Sequence, residues 1–318
     1  MDRLPKMIIK RLAFGVATLI IISLIVFWGV EALPGDLAQT ILGQAATEEN
    51  TAALRVKLGL DQPAYLRYLE WLGNVLSGNL GESLASGRAI SELLGARLGN
   101  TFFLAGASAV LAVPLALFLG VVSVLYRDRW VDKFISITTL SAISLPEFFI
   151  AYILILWFSV EHQIFPSFSR ITTDMTLWSK LNAVALPALT LTMISVAHMM
   201  RLTRAALLNV ISAPYIEMAL LKGLSPWRIV VRHALPNALS PVINVVVMNL
   251  AFMIVGSVVI EVVFVYPGLG QLLVDAVSNR DVPLVQASVL IFASVYVLLN
   301  LLADVLSIIT NPKLRHAK

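Results

Sequence analysis

The sequence predicts an all-α integral membrane protein with six transmembrane helices. Three observations carry that expectation: the composition, a series of long apolar runs, and an uneven distribution of charge between the loops. Of 318 residues, 58% are hydrophobic and 13% charged, and the mean hydropathy is +0.87. Soluble domains carry about 25% charged residues. This chain cannot cover a globular surface with polar groups, so lipid must cover much of it. Cysteine is absent, which rules out a disulfide, a thiolate nucleophile and a Cys-ligated metal. None of the 4 histidines pairs at H-x-x-x-H spacing, so no metal site is expected. The formal net charge is +4 and the sequence pI about 9.4. In a soluble protein that balance suggests nucleic acid. Here loop orientation explains it, and no nucleic-acid partner is expected.

Apolar runs of about 20 residues mark the spans. The first covers roughly 12–33 and follows Arg3, Lys6, Lys10 and Arg11. Its length, and the lack of a small-residue cleavage site after it, favour an uncleaved anchor over a signal peptide. A polar stretch, 34–98, comes next. It contains amphipathic pieces such as Tyr65–Leu72 and reads as a small folded region outside the membrane. Five more runs follow at about 101–125, 134–158, 183–203, 238–265 and 285–309. The third span contains Pro146 and the fifth Pro241; such breaks are tolerated where neighbouring helices satisfy the freed carbonyls. The chain thus divides into a tail and first span (1–33), the extramembrane region (34–98), a five-span core (99–310) that includes the loop 204–236, and a short tail (311–318).

Loop charge sets the orientation. Arg127, Arg129 and Lys133, then Arg201 and Arg204, then Lys222, Arg228 and Arg232, then Lys313, Arg315 and Lys318 fall on one side. Asp36, Glu48, Glu49, Asp61, Glu70, Glu82 and Glu92 fall on the other. Positive-inside puts both termini in the cytoplasm. That requires an even number of spans, which six supplies.

The loop between spans four and five carries the most information. Pro214 suits a first helical position, and Glu217 lies in the first turn, where the helix dipole favours an anion. Gly223 suits a left-handed C-terminal cap. Ser225 then caps a second helix, with Pro226 at its first position. Ile216, Ala219, Leu220 and Gly223 form one narrow apolar stripe at i, i+3, i+4 and i+7. Such a stripe fits a groove on another protein. On periodicity alone, an interfacial helix resting on lipid headgroups fits equally well.

The run from Glu217 to Pro236 resembles the EAA loop of binding-protein-dependent ABC importer permeases, whose form is E-A-A, three residues, G, nine residues, I-x-L-P. Glu217, Ala219, Gly223, Leu235 and Pro236 match it; Met218 and His233 depart from it. Most of the chain resembles the first permease of the dipeptide, oligopeptide and nickel importer group. The segments that carry the likeness are Leu33-Pro34-Gly35-Asp36, Leu58–Pro63, Gly78–Ser83, Pro267-Gly268-Leu269-Gly270, Asn279-Arg280-Asp281 with Pro283, and Asn311–Arg315. The resemblance implies a type I ABC importer permease fold in a bacterial inner membrane. It implies a second homologous permease completing a twelve-helix pore, two cytoplasmic ATPases that bind ATP and Mg, and a periplasmic substrate-binding protein. No cofactor is expected on this chain. Glu217 and Gly223 would help dock and shape the coupling helix, and Ala219 would permit close approach. Lys222, Arg228 and Arg232 would either pair with ATPase carboxylates or serve only as positive-inside charge. Peptides are the expected substrate, with nickel or another small solute as the alternative.

Charges inside the spans are functional candidates by default. Glu147, just after Pro146, either lines the translocation path or makes a buried structural contact. Glu261 sits at an outer gate or reaches the interface. Asn244 and Asn249 either line the path or bond between helices. Asp304, with Asn300 one turn earlier, suits a polar interhelical contact, and snorkelling accounts for Arg201 beside His198. No G-x-x-x-x-G-K-[ST], H-E-x-x-H or G-x-S-x-G motif occurs, so energy must come from a partner or an ion gradient and catalysis on this chain is not expected. An ion-driven secondary transporter is the rival class, but no internal repeat is visible and the 215–236 loop has no role in it.

Overall fold

A computed structural model describes residues 3–32, 37–42, 46–57, 59–172 and 174–310. Leu33–Asp36, Leu58 and the closing tail from Asn311 lie outside the described residues, so the motifs and basic cluster read there have no structural counterpart here. The first helix, α1 (Arg3–Glu31), is apolar through most of its length. Short helices α2 (Leu37–Leu42), α3 (Glu48–Lys57) and α4 (Ala64–Leu76) follow it. The predicted amphipathic piece is α4, and its aromatic face docks on the far end of α1. There Tyr68 Oη lies 2.8 Å from Ser23 Oγ, the Phe27 and Tyr68 rings meet edge to face at 5.3 Å, and Arg67 pairs with Glu31.

The second span, α5 (Ile90–Leu125), begins well before the apolar run predicted at 101. Its 36 residues make about 54 Å of helix against the ~30 Å of a hydrocarbon core. The first turns, with Glu92 and Arg97, therefore extend beyond the hydrocarbon core, where Ile90 and Leu94 remain buried against the rest of the chain. Hydropathy finds where a helix enters lipid, not where it starts, and that accounts for the shifted boundary.

Span three is two helices. The pieces α6 (Trp130–Ser144) and α7 (Glu147–Leu154, continued by a π-helical stretch Ile155–Glu161) are bent by 103° at Leu145-Pro146. The cause is local. A proline has no N–H and disfavours helical backbone in the residue before it, and Leu145 is accordingly extended (φ −89°, ψ 139°). After α8 (Leu177–Ala183) comes the most buried span, α9 (Ala185–Ile211). Then follow α10 (Pro214–Leu221), α11 (Pro226–Ile229), a π-helical turn and α12 (Leu235–Asn237). Span five is α13 (Leu239–Val255) with α14 (Val258–Val263). Pro241 does not break it, because it lies in the first turn, where no intrahelical donor is needed. The interruption is at Gly256-Ser257 instead. Last come α15 (Leu269–Ser278) and α16 (Val282–Thr310).

Among the described residues, five helices are long and apolar enough to cross a membrane, and a sixth span results if the bent pair counts as one. The core forms where α5, α9 and α13 meet, with Leu104, Ala112, Leu191, Met199, Met200 and Met253 fully or nearly buried. Small residues set the spacing there, as expected where apolar burial gives no net drive between helices in lipid. A Cβ on Gly120 would lie 2.9 Å from Thr203 Cγ2 across the α5–α9 contact. At the edge, α1 packs along α16, and Arg11 meets Asp304 at 3.0 Å. Asp304 does make the interhelical contact expected of it, but with Arg11; Asn300 bonds back to its own helix at Tyr296. Arg11 is 55% and Asp304 27% exposed, so the pair is worth at most about 1 kcal/mol and packing decides.

Gly120→Leu should force α5 and α9 apart, cost about 1–3 kcal/mol and lower the melting temperature of the purified protein in detergent. Gly120→Ala should have a smaller effect in the same direction.

Candidate functional site: the exposed loop helices and the buried acids

The 214–237 segment folds as its residues dictate. Pro214 is the first residue of α10, and Glu217 lies exposed in the first turn. The helix ends in a Schellman motif: the Gly223 N–H donates to Leu220 O at 2.9 Å and the Leu224 N–H to Ala219 O at 3.3 Å. Gly223 carries the left-handed backbone this requires (φ 76°), and Leu224 packs beside Ala219 as the motif's apolar contact. Ser225 and Pro226 take the predicted cap and first positions of α11, but the Ser225 hydroxyl makes no capping bond.

The predicted stripe is only partly on the outside. Ile216 is 2% exposed and, with Ala219, packs against Val121 and Val124 of α5, Leu207 of α9, Ile229 and Val230. Those positions attach the helix to its own chain. A different set faces out: Tyr215, Met218, Leu220, Leu221 and Trp227, with Leu221 74% exposed. Glu217, Lys222, Arg228, Arg232 and Pro236 are exposed as well. Lys222, Arg228 and Arg232 have no ion-pair partner among the described residues.

At the opposite end, Glu261 does not line an open path. It is fully buried, and its carboxyl is occupied. Thr101 Oγ1 donates to Oε1 at 2.7 Å, and Ser257 Oγ lies 3.0 Å from the same oxygen. Oε2 accepts the backbone N–H groups of Gly270 (2.7 Å) and Gln271 (3.1 Å). Thr101 also accepts the Leu269 N–H at 2.8 Å. The first three N–H groups of α15 are thus satisfied from outside the helix, two of them by an acid placed where the dipole favours one. This explains the Pro267-Gly268-Leu269-Gly270 motif. A Cβ on Gly268 would fall on the Glu261 carboxyl, and one on Gly270 would lie 2.7 Å from Val258 Cα. Beside it the Tyr266 hydroxyl donates to Asn100 O at 2.6 Å. Burial, with the Glu261 carboxyl nearby, pushes the Tyr266 phenol up, which keeps it a donor.

Asp281, read in the sequence only as part of a motif, is a second buried acid (1% exposed). It accepts from Ser83 Oγ and from the N–H groups of Leu84 (3.1 Å) and Ala85 (3.3 Å) while capping the start of α16. Two motifs about two hundred residues apart, Gly78–Ser83 and Asn279–Asp281, meet at this carboxylate. A third acid, Asp132, is 4% exposed at the 214–237 end and pairs with Arg204. Sequence reasoning passed over it; the available signal was an acid standing inside a basic loop.

Glu147 behaves differently. It is half-buried at the first position of α7, within electrostatic reach of His198 on α9, and makes no hydrogen bond or ion pair among the described residues. His198 is exposed and stacks on Phe252 of α13 at 6.1 Å. Asn244 is half-buried. Asn249 is nearly buried and donates to Val245 O of its own helix, not across to another.

Residues 112–316 match the binding-protein-dependent transport system inner membrane component family, and residues 4–102 match the N-terminal domain of such membrane components. The chain belongs to that permease family. It is 38% identical over 309 residues to the glutathione transport system permease protein GsiC of Escherichia coli strain K12, covering 97% of this chain and 98% of that one. The same protein of Shigella flexneri serotype 5b is 38% identical and that of Shigella boydii serotype 4 is 37% identical, with the same coverage. The chain is therefore a permease subunit of an ABC importer of the dipeptide, oligopeptide and nickel type. It is not itself an enzyme, ATP hydrolysis belonging to separate subunits. In this permease the first family segment ends and the second begins inside α5, and the second contains the whole 214–237 segment.

Glu261→Ala should strand the Gly270 and Gln271 N–H groups of α15 and destabilise the permease by about 3 kcal/mol. Gly268→Ala should be disruptive for the converse reason, since its methyl displaces the carboxyl. Thermal unfolding in detergent reads both, and a Gly268→Ala permease that melts like the parent would contradict the close fit.

Proposed function

We propose that this permease forms half of a twelve-helix pore that imports di- or oligopeptides from periplasm to cytoplasm by alternating access. In this reading a second homologous permease supplies the other half, two ATPase subunits carrying ATP and Mg dock on the 215–236 segment, and a periplasmic binding protein delivers substrate. The observation that carries it is α10. This is a helix anchored to its own chain by Ile216 and Ala219, with Tyr215, Met218 and Leu221 exposed, followed by the exposed cations Lys222, Arg228 and Arg232, which have no ion-pair partner among the described residues. An apolar face with a cationic rim suits a protein groove lined by carboxylates better than hydrocarbon.

Support for the substrate class comes from the relatives, which are glutathione transport permeases; glutathione is a peptide. The orientation with both termini in the cytoplasm draws support from Arg11 meeting Asp304, which sets the start of α1 beside the end of α16. Glu147, Asn244 and Asn249 are the residues proposed for the path, with Glu147 first because its carboxylate is uncommitted.

Uptake of a labelled peptide into vesicles holding the assembled importer should require ATP and collapse when the ATPases are left out. Uptake that instead follows an imposed ion gradient would favour the secondary-transporter reading. Within the assembled complex, Gly223→Val should strain the cap by about 1–3 kcal/mol and lower uptake more than it lowers the amount of permease in the membrane. Glu147→Gln should reduce uptake while leaving assembly intact, and transport at the parent rate would remove Glu147 from the path.

A further inference from the structure

Asp132 lies at the 214–237 end of the bundle, and the proposed role makes no use of it. Its carboxylate receives the guanidinium of Arg204 in a forked arrangement, Nε to Oδ1 at 3.0 Å and Nη2 to Oδ2 at 2.7 Å. Ser123 donates its hydroxyl to Oδ1 and lies 2.9 Å from Arg204 Nε, and the Asp128 N–H donates to Oδ2 at 3.1 Å. One residue each from α5, α6 and α9 is thereby held in fixed orientation, because a two-pronged contact between planar groups sets angle as well as distance. A surface pair would not do this, but here the acid is buried and the arginine 28% exposed.

The neighbours of this cluster hold the loop helices. Ser123 stands between Val121 and Val124, and Leu207 is one turn beyond Arg204. These three apolar residues are the ones against which Ile216, Ile229 and Val230 pack. The same stretches of α5 and α9 therefore bear the ion pair on one side and the loop helices on the other. From Asp132, α6 runs to the bend at Leu145-Pro146, directly before Glu147.

We propose that Asp132 and Arg204 are positioning residues that join α5, α6 and α9 into one body, so that displacement of α10 and α11 by the ATPases is carried along α6 to the bend. The proposal rests on the coupling role proposed above for the 215–236 segment. Close-packed interiors pass on displacement without absorbing it, and the ion pair extends that body to a helix whose far end reaches the proposed path.

The test uses the assembled importer in vesicles. Spin labels on Ser225→Cys and Phe134→Cys, in a chain with no other cysteine, report the distance between α11 and α6 with and without trapped nucleotide. That distance should stay constant when the ion pair is intact and change on trapping in Asp132→Asn and Arg204→Lys. In the same variants the ATPases should remain bound, while uptake per ATP hydrolysed falls by about tenfold. The reversed pair, Asp132→Arg with Arg204→Asp, should recover part of the loss. A label distance that changes on trapping with the ion pair intact overturns the proposal, and so does unchanged uptake per ATP in variants that assemble. If the variants do not accumulate, the distance measured with the native ion pair decides alone. Gly223→Val separates the two levels of argument. If it leaves ATPase binding and uptake intact, the coupling role fails; if it uncouples while Asp132→Asn does not, only the role of the ion pair fails.

Discussion

Helices surrounded by lipid gain little by burying apolar faces against one another, since the lipid was already apolar. What holds this bundle must then be close packing of small residues and a few buried polar contacts. The close packing occupies the middle, where Ala112, Ala116 and Gly120 of α5 face α9. The polar contacts occupy the ends. Glu261 and Asp281 close one end and Asp132 the other. Each acid takes donors from at least one element remote in sequence, and Glu261 and Asp281 also sit where a helix begins with unsatisfied N–H groups. An acid buried without donors is costly, so each of these positions demands its partners: Thr101 and the start of α15 for Glu261, the Ser83–Ala85 turn for Asp281, Arg204 and Ser123 for Asp132. The register of α5 against the second half of the chain follows from meeting those demands.

Much of this architecture was legible. Hydropathy located the five long apolar helices and the apolar run of the bent pair, because lipid imposes composition directly. It misplaced the start of α5 and concealed the bend in α6–α7, because composition does not register a helix continuing into water or a chain turning within an apolar run. Pro146 and Pro241 looked alike in the sequence. They differ in position along the helix: Pro241 falls where α13 has no donor to lose, while Pro146 follows a residue it forces into extended backbone. The acids were harder. Glu261 and Glu147 are both glutamates in apolar runs, and only the placement of Thr101 and the Gly268 N-terminus of α15 tells which is occupied.

The loop helix shows why periodicity settles the element before it settles the face. Around α10, Ile216 and Ala219 are apolar, and so are Tyr215, Met218 and Leu221. A helix apolar on nearly all sides has more than one partner to satisfy. By periodicity alone the narrowest stripe, with its small residues, suits a groove on another protein or a lipid surface equally well. The small residue serves the opposite purpose: Ala219 lets α10 lie close to its own bundle, while the bulkier residues extend outward, where area and flexibility suit a separate surface.

The contrast between the two glutamates bears on transport. A site that releases its substrate must offer groups that are available and not already satisfied. Glu261 has four donors on two oxygens and belongs to the frame. Glu147 stands at a break in α7's own span, where Pro146 has already interrupted the backbone ladder; it makes no hydrogen bond or ion pair among the described residues, while His198, within electrostatic reach, bonds back to Ile194 O of its own helix at 3.3 Å. A carboxylate in an apolar run faces the bundle interior or a water-filled cavity. The bend that exposes it is the feature of α6–α7 that sets it apart from a simple spanning helix. The two facts then have one cause: the chain gives up a straight span at Leu145-Pro146, and in doing so it leaves Glu147 half-buried without a hydrogen bond or ion pair among the described residues, which is the ground on which it is proposed for the path.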